Sequence, residues 1–423
     1  MRLSLLDYPR GRLAVFTVLY ASEGAPIGFI WWALPTLLRS ADVPVAQITS
    51  LTALLLLPWV LKFLWAPVLD VLRGPRWGYR AWIVLAQTSM AVTLVPLVWL
   101  DPVQHFDTWR LLLLLHGISA ATQDVAIDAL VIGATPPHER GRLNGAMQAG
   151  MLVGRSVFGG AVLLVATTWG TAGILSALIT WICLPLLLVA AMKEPAPQAT
   201  AAIAGTPLRE ALVAALRMRS TWIGLAFALT GAAAFESAGQ LAGPFLVDRG
   251  VASDTIGVFF SLYVVTATLI GGLVGGWLSD RWGRVPALTV FLLGSVATVA
   301  ALGVVDLRGG ASTTVLIASL VAMYFCVGLF TVTSYAFFMD LTHPRLAATQ
   351  FTTFMAATNA CESWSAWAGG ALVAAVGYGT AFLVMGGVSL TGLLFLRMVQ
   401  GPGSRVQGPG FGPRVLGPRG PIG

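Results

Sequence analysis

Charged residues are scarce in this 423-residue sequence. They make up 10% of the chain, whereas hydrophobic residues make up 57% and the mean hydropathy is +0.82. A soluble protein keeps roughly a quarter of its residues charged, so this chain has too little polar surface to cover its apolar side chains. The composition excludes an ordinary soluble enzyme or binding domain and indicates an integral membrane protein.

Cysteine and histidine are also scarce. The three cysteines fall inside apolar stretches, where they serve as small packing residues, so no disulfide framework is expected. The four histidines are scattered without metal-ligand spacing such as H-E-x-x-H. Neither a Gly-x-Ser-x-Gly elbow nor a phosphate-binding P-loop occurs, so acyl transfer and ATP-driven pumping lack their machinery. No cofactor or metal is expected.

Long apolar stretches cover almost the whole chain. A helix needs roughly 20 apolar residues to cross a bilayer core, and about twelve such stretches occur. They are continuously apolar rather than alternating, which favours helices over a membrane barrel. The predicted spans are 12–38, 46–70, 80–99, 109–133, 141–167 and 171–192 in the first half, and 221–247, 254–278, 286–305, 313–339, 346–376 and 378–398 in the second.

Two segments lie outside these spans. Residues 193–220 form a linker that begins rich in proline and alanine, and its second part, 207–219, is predicted to be a short amphipathic helix at the membrane surface. Residues 399–423 form a Gly/Pro-rich tail, which we expect to be disordered. The linker separates two six-helix bundles, residues 1–192 and 221–398.

Basic residues are distributed unevenly between the loops. Lys and Arg in short loops stay on the cytoplasmic side of a membrane. About 19 of the 25 basic residues lie in the termini and the even-numbered loops, and about four lie in the others. We therefore expect a multi-pass inner-membrane protein with both termini in the cytoplasm. The net charge of +7 reflects this topology and contact with anionic lipids, so nucleic acid is not an expected partner.

The two halves repeat a short polar turn. LDVLRGPRWGYR at 69–80 follows the second span, and GWLSDRWGR at 276–284 follows the eighth. Repetition at corresponding places indicates two similar halves with a substrate site between them. The predicted fold class is therefore an all-α integral membrane protein, with twelve transmembrane helices in two pseudo-symmetric six-helix bundles.

The second polar turn resembles the loop motif of the major facilitator superfamily, whose members are secondary transporters. The matching residues are Gly276, Asp280, Arg281, Gly283 and Arg284, and the first-half copy retains Asp70 and Arg80. The resemblance implies a gating latch, in which Asp280 binds arginines and a neighbouring helix N-terminus in one conformation and releases them in another. Capping of the loop by a solvated carboxylate is the alternative for both aspartates.

A narrower resemblance is to the AmpG-type permease branch, which contains muropeptide permeases, acetyl-coenzyme A transporters and some siderophore permeases. The motifs that carry it are SEGAPIGF (22–29), LPWVLKFLWAPVLD (57–70), ATQDVAIDAL (121–130), HERG (138–141) and AATQF (347–351). The resemblance implies a permease for a medium-sized solute, but the motifs do not fix which solute is carried.

Acidic residues inside the spans are the candidates for carrying a coupled proton. They are Glu23, Glu236, Glu362, Asp124 and Asp128. Charge is costly in a bilayer, and desolvation favours the neutral form of a carboxyl group, so such an acid can load and release a proton. The predicted function is a proton-coupled symporter that works by alternating access. Its partners are a small-molecule solute, a proton and the lipid bilayer, and we expect a monomer.

Glu23 and Glu236 hold related positions, within about one helical turn of each other relative to a following proline. This favours a shared coupling role. The alternative is a structural carboxylate that is permanently paired with Arg155 or capped by the hydroxyls of Ser22 and Ser237. Asp124 and Asp128 share a face of the fourth span and lie at the depth of Lys62. They form either a proton site or a static interhelical ion pair, and we favour the static pair.

Arg155 lies at the same depth as Glu362, in the related fifth and eleventh spans. A buried guanidinium attracts a carboxylate, phosphate or catecholate, so an anionic solute is favoured. Further candidates for solute binding are Gln123, Gln240, Trp31 and Trp364. Bundle packing explains the two glutamines equally well, and tryptophan in a membrane more often serves as an interfacial anchor or a packing residue. A channel, a membrane enzyme and a non-transporting sensor on a transporter scaffold are the rival functions.

Overall fold

The computed structural model describes residues 5–72, 77–136, 139–192, 213, 217–341 and 347–399. Within these ranges every regular element is a helix. The predicted linker lies almost wholly outside the described residues, as do the predicted disordered tail beyond Val399 and the side chain of Asp70. Those three predictions stay predictions.

Six helices form each half, and their apolar sequences place them where hydropathy predicted. In the first half they are α1 Pro9–Ser40, α2 Val45–Leu64, α3 Tyr79–Val98, α4 Phe106–Ala134, α5 140–164 and α6 Ala166–Ala191. In the second half they are α7 Arg219–Thr230 with Ala233–Asp248, α8 Ser253–Trp282, α9 Arg284–Arg308, α10 Thr313–Leu341, α11 347–376 and α12 378–399.

Ten helical stretches of the described chain are individually long and apolar enough to cross a membrane. The α7 helix adds an eleventh crossing, because a turn at Gly231 and Ala232 divides it into two parts that are short when taken alone. The stretch Gln350–Val399 contains two crossings, since Gly377 leaves the helical region at φ 77. The prediction of twelve helices is confirmed, and the predicted span 221–247 contains a turn that hydropathy did not indicate.

Glycine residues bend the chain at comparable places in the two halves. Gly170, near the start of α6, has φ 62, and Gly377, between α11 and α12, has φ 77, a conformation that residues with a side chain rarely adopt. Gly377 turns the chain from α11 into α12, and Gly170 kinks α6 soon after the chain leaves α5. This structural repeat supports the division into two similar halves.

A second departure from the predicted spans occurs in α2. The α-helix ends at Leu61, and a 3₁₀ turn at Lys62–Leu64 precedes a short helix, Ala66–Val71. Pro67 stands at the start of this short helix, and a proline has no backbone N–H to donate to the preceding turn. The predicted span 46–70 therefore contains a break that hydropathy did not indicate. The break places Lys62 against α4.

The two halves meet along three seams, α1 with α7, α2 with α11 and α5 with α8. Twelve is an even number of crossings, so both ends of the described chain lie at the same face of the bundle. We call this the terminal face and the opposite one the distal face. Along the seam of α2 and α11, the Ser363 hydroxyl donates to the Ala53 carbonyl at 2.8 Å. Along the seam of α5 and α8, the Ser156 hydroxyl donates to the Ser261 carbonyl at 2.6 Å.

Candidate functional site

Arg155 lies on α5, just before a π-helical turn at Val157–Ala161. Such turns are frequent at functional sites. The guanidinium carbon lies over the rings of Trp31 and Trp32, at 5.4 and 5.9 Å from their centroids. Both tryptophans belong to a second π-helical turn, Phe29–Ala33 of α1. Two widened turns therefore bring one cation and two indole rings together at the seam between the halves.

The charge of Arg155 is not held by an ion pair within the described chain. Its Nε is buried and has no hydrogen-bond partner there. Its electrostatic neighbours include Glu362 of α11 and Glu236 of α7, neither of which lies within ion-pair distance. The cation comes from the first half and the two acids from the second, so the site needs both halves to be complete.

One of the two second-half acids, Glu362, is held by a hydrogen bond. Gln240 of α7 donates through Nε2 to Oε1 of Glu362 at 2.8 Å. Glu236, Glu362 and Arg155 are each only half-buried, although each lies near the middle of its helix. Since these side chains face one another, their partial exposure indicates water-accessible space between the halves.

Several polar atoms beside this group have no partner in the described part of the chain. They are the indole nitrogen of Trp31, Oε1 of Gln240 and the hydroxyl of Tyr324. Tyr324 has Glu236 and Arg155 among its electrostatic neighbours. Buried polar atoms are normally hydrogen-bonded, so these donors and acceptors are available to a bound solute or to water.

A separate acidic group lies within the first half. Lys62 donates to Asp124, which is the ion pair that the sequence favoured. One helical turn further along α4, Asp128 accepts a hydrogen bond of 2.5 Å from the hydroxyl of Tyr20. The contacts are observed, and whether the Lys62 pair stays closed during function remains a prediction.

Glu23 belongs to this first-half group. It is 2% exposed, and its electrostatic neighbours include Asp124, Asp128 and Lys62. Its Oε2 has no hydrogen-bond partner among the described residues. The structure therefore places Glu23 with the first-half acids and does not show it paired with Arg155.

Two other candidates lie apart from the Arg155 site. Gln123 is fully buried, and neither side-chain atom of its amide has a partner among the described residues. Trp364 donates its indole N–H to the carbonyl of Leu229 at 2.9 Å, a packing contact between α11 and α7. No contact of the described chain brings either side chain to Arg155.

The predicted latch lies at the terminal face. Arg284 Nη1 lies 2.6 Å from Oδ1 of Asp280, and its Nε lies 3.4 Å from Oδ2 of Asp340 on α10. Arg281 stacks instead over the Trp277 ring at 4.0 Å.

The turn of the predicted latch is formed by Gly283, whose φ of 85 ends α8, while Gly276 packs within the helix. Across the bundle, Arg80 Nε donates to the carbonyl of Val189 at 2.8 Å.

The sequence interpretation missed Tyr20, Tyr324 and the partner of Arg12. Tyr20 lies one turn before Glu23, and that spacing could have suggested it. Tyr324 carries no local signal, because its proximity to the site depends on how α10 packs. Arg12 is 8% exposed and holds Glu139 of the HERG motif, with Nη2 at 2.8 Å from Oε2.

Family comparison agrees with this architecture. The sequence profile of the Major Facilitator Superfamily matches residues 16–252 and 238–419, which together include most of the chain. The chain belongs to this superfamily. It is therefore a multi-pass membrane transporter and not an enzyme, because the members that it resembles are transporters.

Relatives confirm the narrower resemblance to AmpG-type permeases. The chain is 26% identical over 403 residues to an anhydromuropeptide permease of Escherichia coli K12, covering 92% of this chain and 80% of that protein. It is 24% identical over 388 residues to the putative transporter AmpG 4 of Rickettsia conorii, covering 88% of this chain and 92% of that protein.

Solved structures of this superfamily share the fold. A D-xylose-proton symporter superposes with a TM-score of 0.74 at 14% identity, covering 91% of this chain and 96% of that chain. The nucleoside transporter NupG superposes with a TM-score of 0.71 at 13% identity, covering 92% of this chain and 100% of that chain. At such identities the likeness concerns the fold alone.

Proposed function

We propose that this transporter is a proton-coupled symporter that moves a medium-sized anionic solute across the inner membrane by alternating access. A muropeptide is the first candidate, because the chain resembles an anhydromuropeptide permease along most of its length. Acyl-coenzyme A species and ferric siderophores are the other anions to test. Both termini are cytoplasmic in this proposal, so the terminal face is cytoplasmic and the distal face is periplasmic.

The observation that carries the proposal is the unpaired Arg155 between two indole rings. A cation without a carboxylate partner is costly inside a membrane, and such residues usually mark a solute or ion pathway. Cation–π contacts with the rings of Trp31 and Trp32 lower the energetic cost of burying this cation, and they leave guanidinium N–H groups free. The arrangement suits recognition of a carboxylate or phosphate beside an apolar or ring-shaped portion of the solute.

Proton coupling is supported by the two groups of acids. The first-half group has three carboxyls, Glu23, Asp124 and Asp128, for one ammonium, Lys62. Full ionisation would leave two negative charges unbalanced there, and a low-polarity site penalises this. Protonation removes the excess, so each group can hold at least one exchangeable proton. An anion bound at Arg155 would compete with Glu362 for the same cation, which links solute binding to the protonation of the acids.

A thermal-shift assay on the detergent-solubilised protein tests solute binding. A ligand that binds only the folded state raises its apparent stability, by about 2.7 kcal/mol at a hundred times its Kd. The panel contains muropeptides, acyl-coenzyme A species and ferric siderophores. We expect one class to stabilise the wild type but not Arg155→Met, which keeps side-chain length while removing charge.

Arg110→Met is the matched control, because Arg110 lies outside the site and its side chain is 51% exposed. It should respond to the solute as the wild type does. Stabilisation of Arg155→Met to the same extent, or a response from none of the three classes, would contradict the proposed recognition.

A further inference from the structure

At the distal face, one ion pair joins the two halves. Arg39, at the end of α1, donates through Nε to Asp248, at the end of α7, and through Nη1 to the Val43 carbonyl at 3.1 Å. The other oxygen of Asp248 accepts a hydrogen bond of 2.8 Å from the Tyr378 hydroxyl. Within the described ranges, no other ion pair connects the first half with the second.

The second-half side of this contact is held in place by a neighbouring ion pair. Arg249 donates through Nε to Oδ1 of Asp306 at 2.6 Å, and Oδ2 of Asp306 accepts the backbone N–H of Gly379 at 2.9 Å. The Arg249 guanidinium also stacks on Tyr378, 5.6 Å from the ring centroid. The ends of α7 and α9 and the start of α12 therefore form one unit, which presents Asp248 and Tyr378 to Arg39.

Backbone geometry places Tyr378 in this contact. Gly377, with φ 77, turns the chain so that α12 starts at Tyr378 directly beside the end of α7. The Tyr378 ring packs against Phe245 at 5.2 Å between centroids, which fixes its hydroxyl toward Asp248. The same turn brings Gly379 to Asp306.

A cavity of about 600 Å³ opens beside the ion pair and is lined by Arg39, Asp248 and Tyr378 among others. The side chains of Arg39 and Asp248 are 26% and 17% exposed. Water can therefore reach both charges, so breaking the pair does not strand either of them in hydrocarbon. A partly exposed pair is strong enough to bias a conformation and weak enough to open.

Tight packing closes the seam below the cavity. Thr49 of α2 is fully buried against Gly370 of α11, and Thr36 of α1 is fully buried against Gly243 of α7. These contacts separate the distal cavity from the Arg155 site. An opening movement at the distal face must break the ion pair first and part these contacts next.

We propose that Arg39, Asp248 and Tyr378 form the distal gate of this transporter, and that the ion pair holds the distal face closed. The inference rests on the alternating-access function proposed above. Loss of either charge removes an interaction made only in the closed state, so it shifts the population toward the open state.

Cysteine labelling tests the gate without any solute. The background protein has its three native cysteines, at 183, 326 and 361, replaced by alanine. Thr49→Cys reports opening, because position 49 is buried while the gate is closed, and Ala46→Cys lies in the cavity and reports access to the distal face. An impermeant maleimide is applied to right-side-out and inside-out vesicles, and Ala46→Cys identifies which preparation exposes the distal face.

We expect Arg39→Ala and Asp248→Asn to raise the labelling rate of Thr49→Cys about five- to thirtyfold, which corresponds to one or two kcal/mol. Tyr378→Phe should raise it less, because it removes one hydrogen bond and no charge. Asp107→Asn is the matched control, since Asp107 lies at the distal start of α4 and pairs with Arg110 of the same helix, and it should leave the rate unchanged. Thermal unfolding of each variant confirms that the labelled protein is folded.

Unchanged labelling in Arg39→Ala and Asp248→Asn would overturn the gate, and so would an equal increase in Asp107→Asn. If Arg39→Ala does not fold, Tyr378→Phe takes its place. A higher labelling rate in Tyr378→Phe then supports the gate, and an unchanged rate overturns it. Because labelling needs no solute, this failure differs from failure of the proposed function, which the thermal-shift panel tests through Arg155.

Discussion

Buried charges of the described chain form two groups: Lys62 lies with the acids of the first half, and Arg155 lies near the acids of the second half. Depth along a helix can be counted from the sequence, and it placed Glu23, Arg155 and Glu362 near the middle of their spans. The rotation and crossing of helices decide which of these side chains meet. Glu23 meets Asp124 of its own half, and Arg155 faces the acids of the other half. The candidate residues and the pair of Lys62 with Asp124 were therefore predictable, whereas the neighbours of Glu23 and Arg155 were not.

Glu23 and Glu236 provide the first test at the residue scale. Glutamine keeps the size and hydrogen bonding of each acid but removes the protonation change. We expect Glu23→Gln and Glu236→Gln each to abolish solute accumulation driven by a pH gradient, while solute exchange continues, because the amide resembles the protonated carrier. Parallel uptake and exchange assays in proteoliposomes measure this.

A purely structural acid gives a different pattern. In that case the glutamine variants would lose protein yield or thermal stability, and uptake and exchange would fall together. Full gradient-driven accumulation in both variants would remove Glu23 and Glu236 as coupling residues and direct attention to Glu362, Asp124 and Asp128.

Lys62 tests whether its ion pair with Asp124 is static. Removing one partner of a buried pair typically costs about 3–5 kcal/mol, because the remaining charge is left unpaired. We expect Lys62→Met to lower thermal stability in detergent, and the double variant Lys62→Met with Asp124→Asn to recover most of the loss. If Lys62→Met keeps full stability but loses pH-gradient coupling, the pair belongs to the proton site instead.

At the scale of elements, hydropathy predicted where the helices lie but not where they break. The turn at Gly231 and Ala232 follows no local turn signal in LTGAAAF. It is stabilised by the Ser389 hydroxyl of α12, which accepts the backbone N–H of Ala234 at 2.7 Å. Partners this distant in sequence leave no pattern that a local window can detect. The π-helical turn that carries Trp31 and the one that follows Arg155 were missed for the same reason.

The crossing of α1 and α5 depends on glycine, and Gly154 tests it. A Cβ on Gly154 would lie 2.2 Å from the Ala21 carbonyl oxygen, so the two helices would have to separate. Overpacking of this kind costs about 1–3 kcal/mol. We expect Gly154→Ala to lower the thermal unfolding temperature and to weaken solute binding, because the same two helices carry Trp31 and Arg155.

Gly145 on the same helix is the matched control. It has nothing within 4 Å of an added Cβ. Since alanine favours a helix over glycine by about 0.5–1 kcal/mol, Gly145→Ala should keep or raise the unfolding temperature. Equal behaviour of the two variants would show that close packing of α1 on α5 is not what limits stability.

At the scale of the whole molecule, gates at opposite faces should act against each other. The structure has its distal gate closed, and the Asp280 latch lies at the terminal face. If Asp280 helps to close the terminal face in the alternative conformation, Asp280→Asn favours the present one and lowers the labelling rate of Thr49→Cys. Unchanged labelling with impaired expression would instead identify Asp280 as a folding residue.

Proton-coupled accumulation of an anion is the central claim, and uptake by proteoliposomes containing the wild-type protein measures it most directly. The labelled solute is a muropeptide, or the anion of the panel that stabilises the protein. We predict that an inward pH gradient drives accumulation above the external concentration, and that a protonophore abolishes this accumulation without stopping exchange. Uptake that never exceeds equilibrium, with or without the gradient, would contradict a proton-coupled carrier.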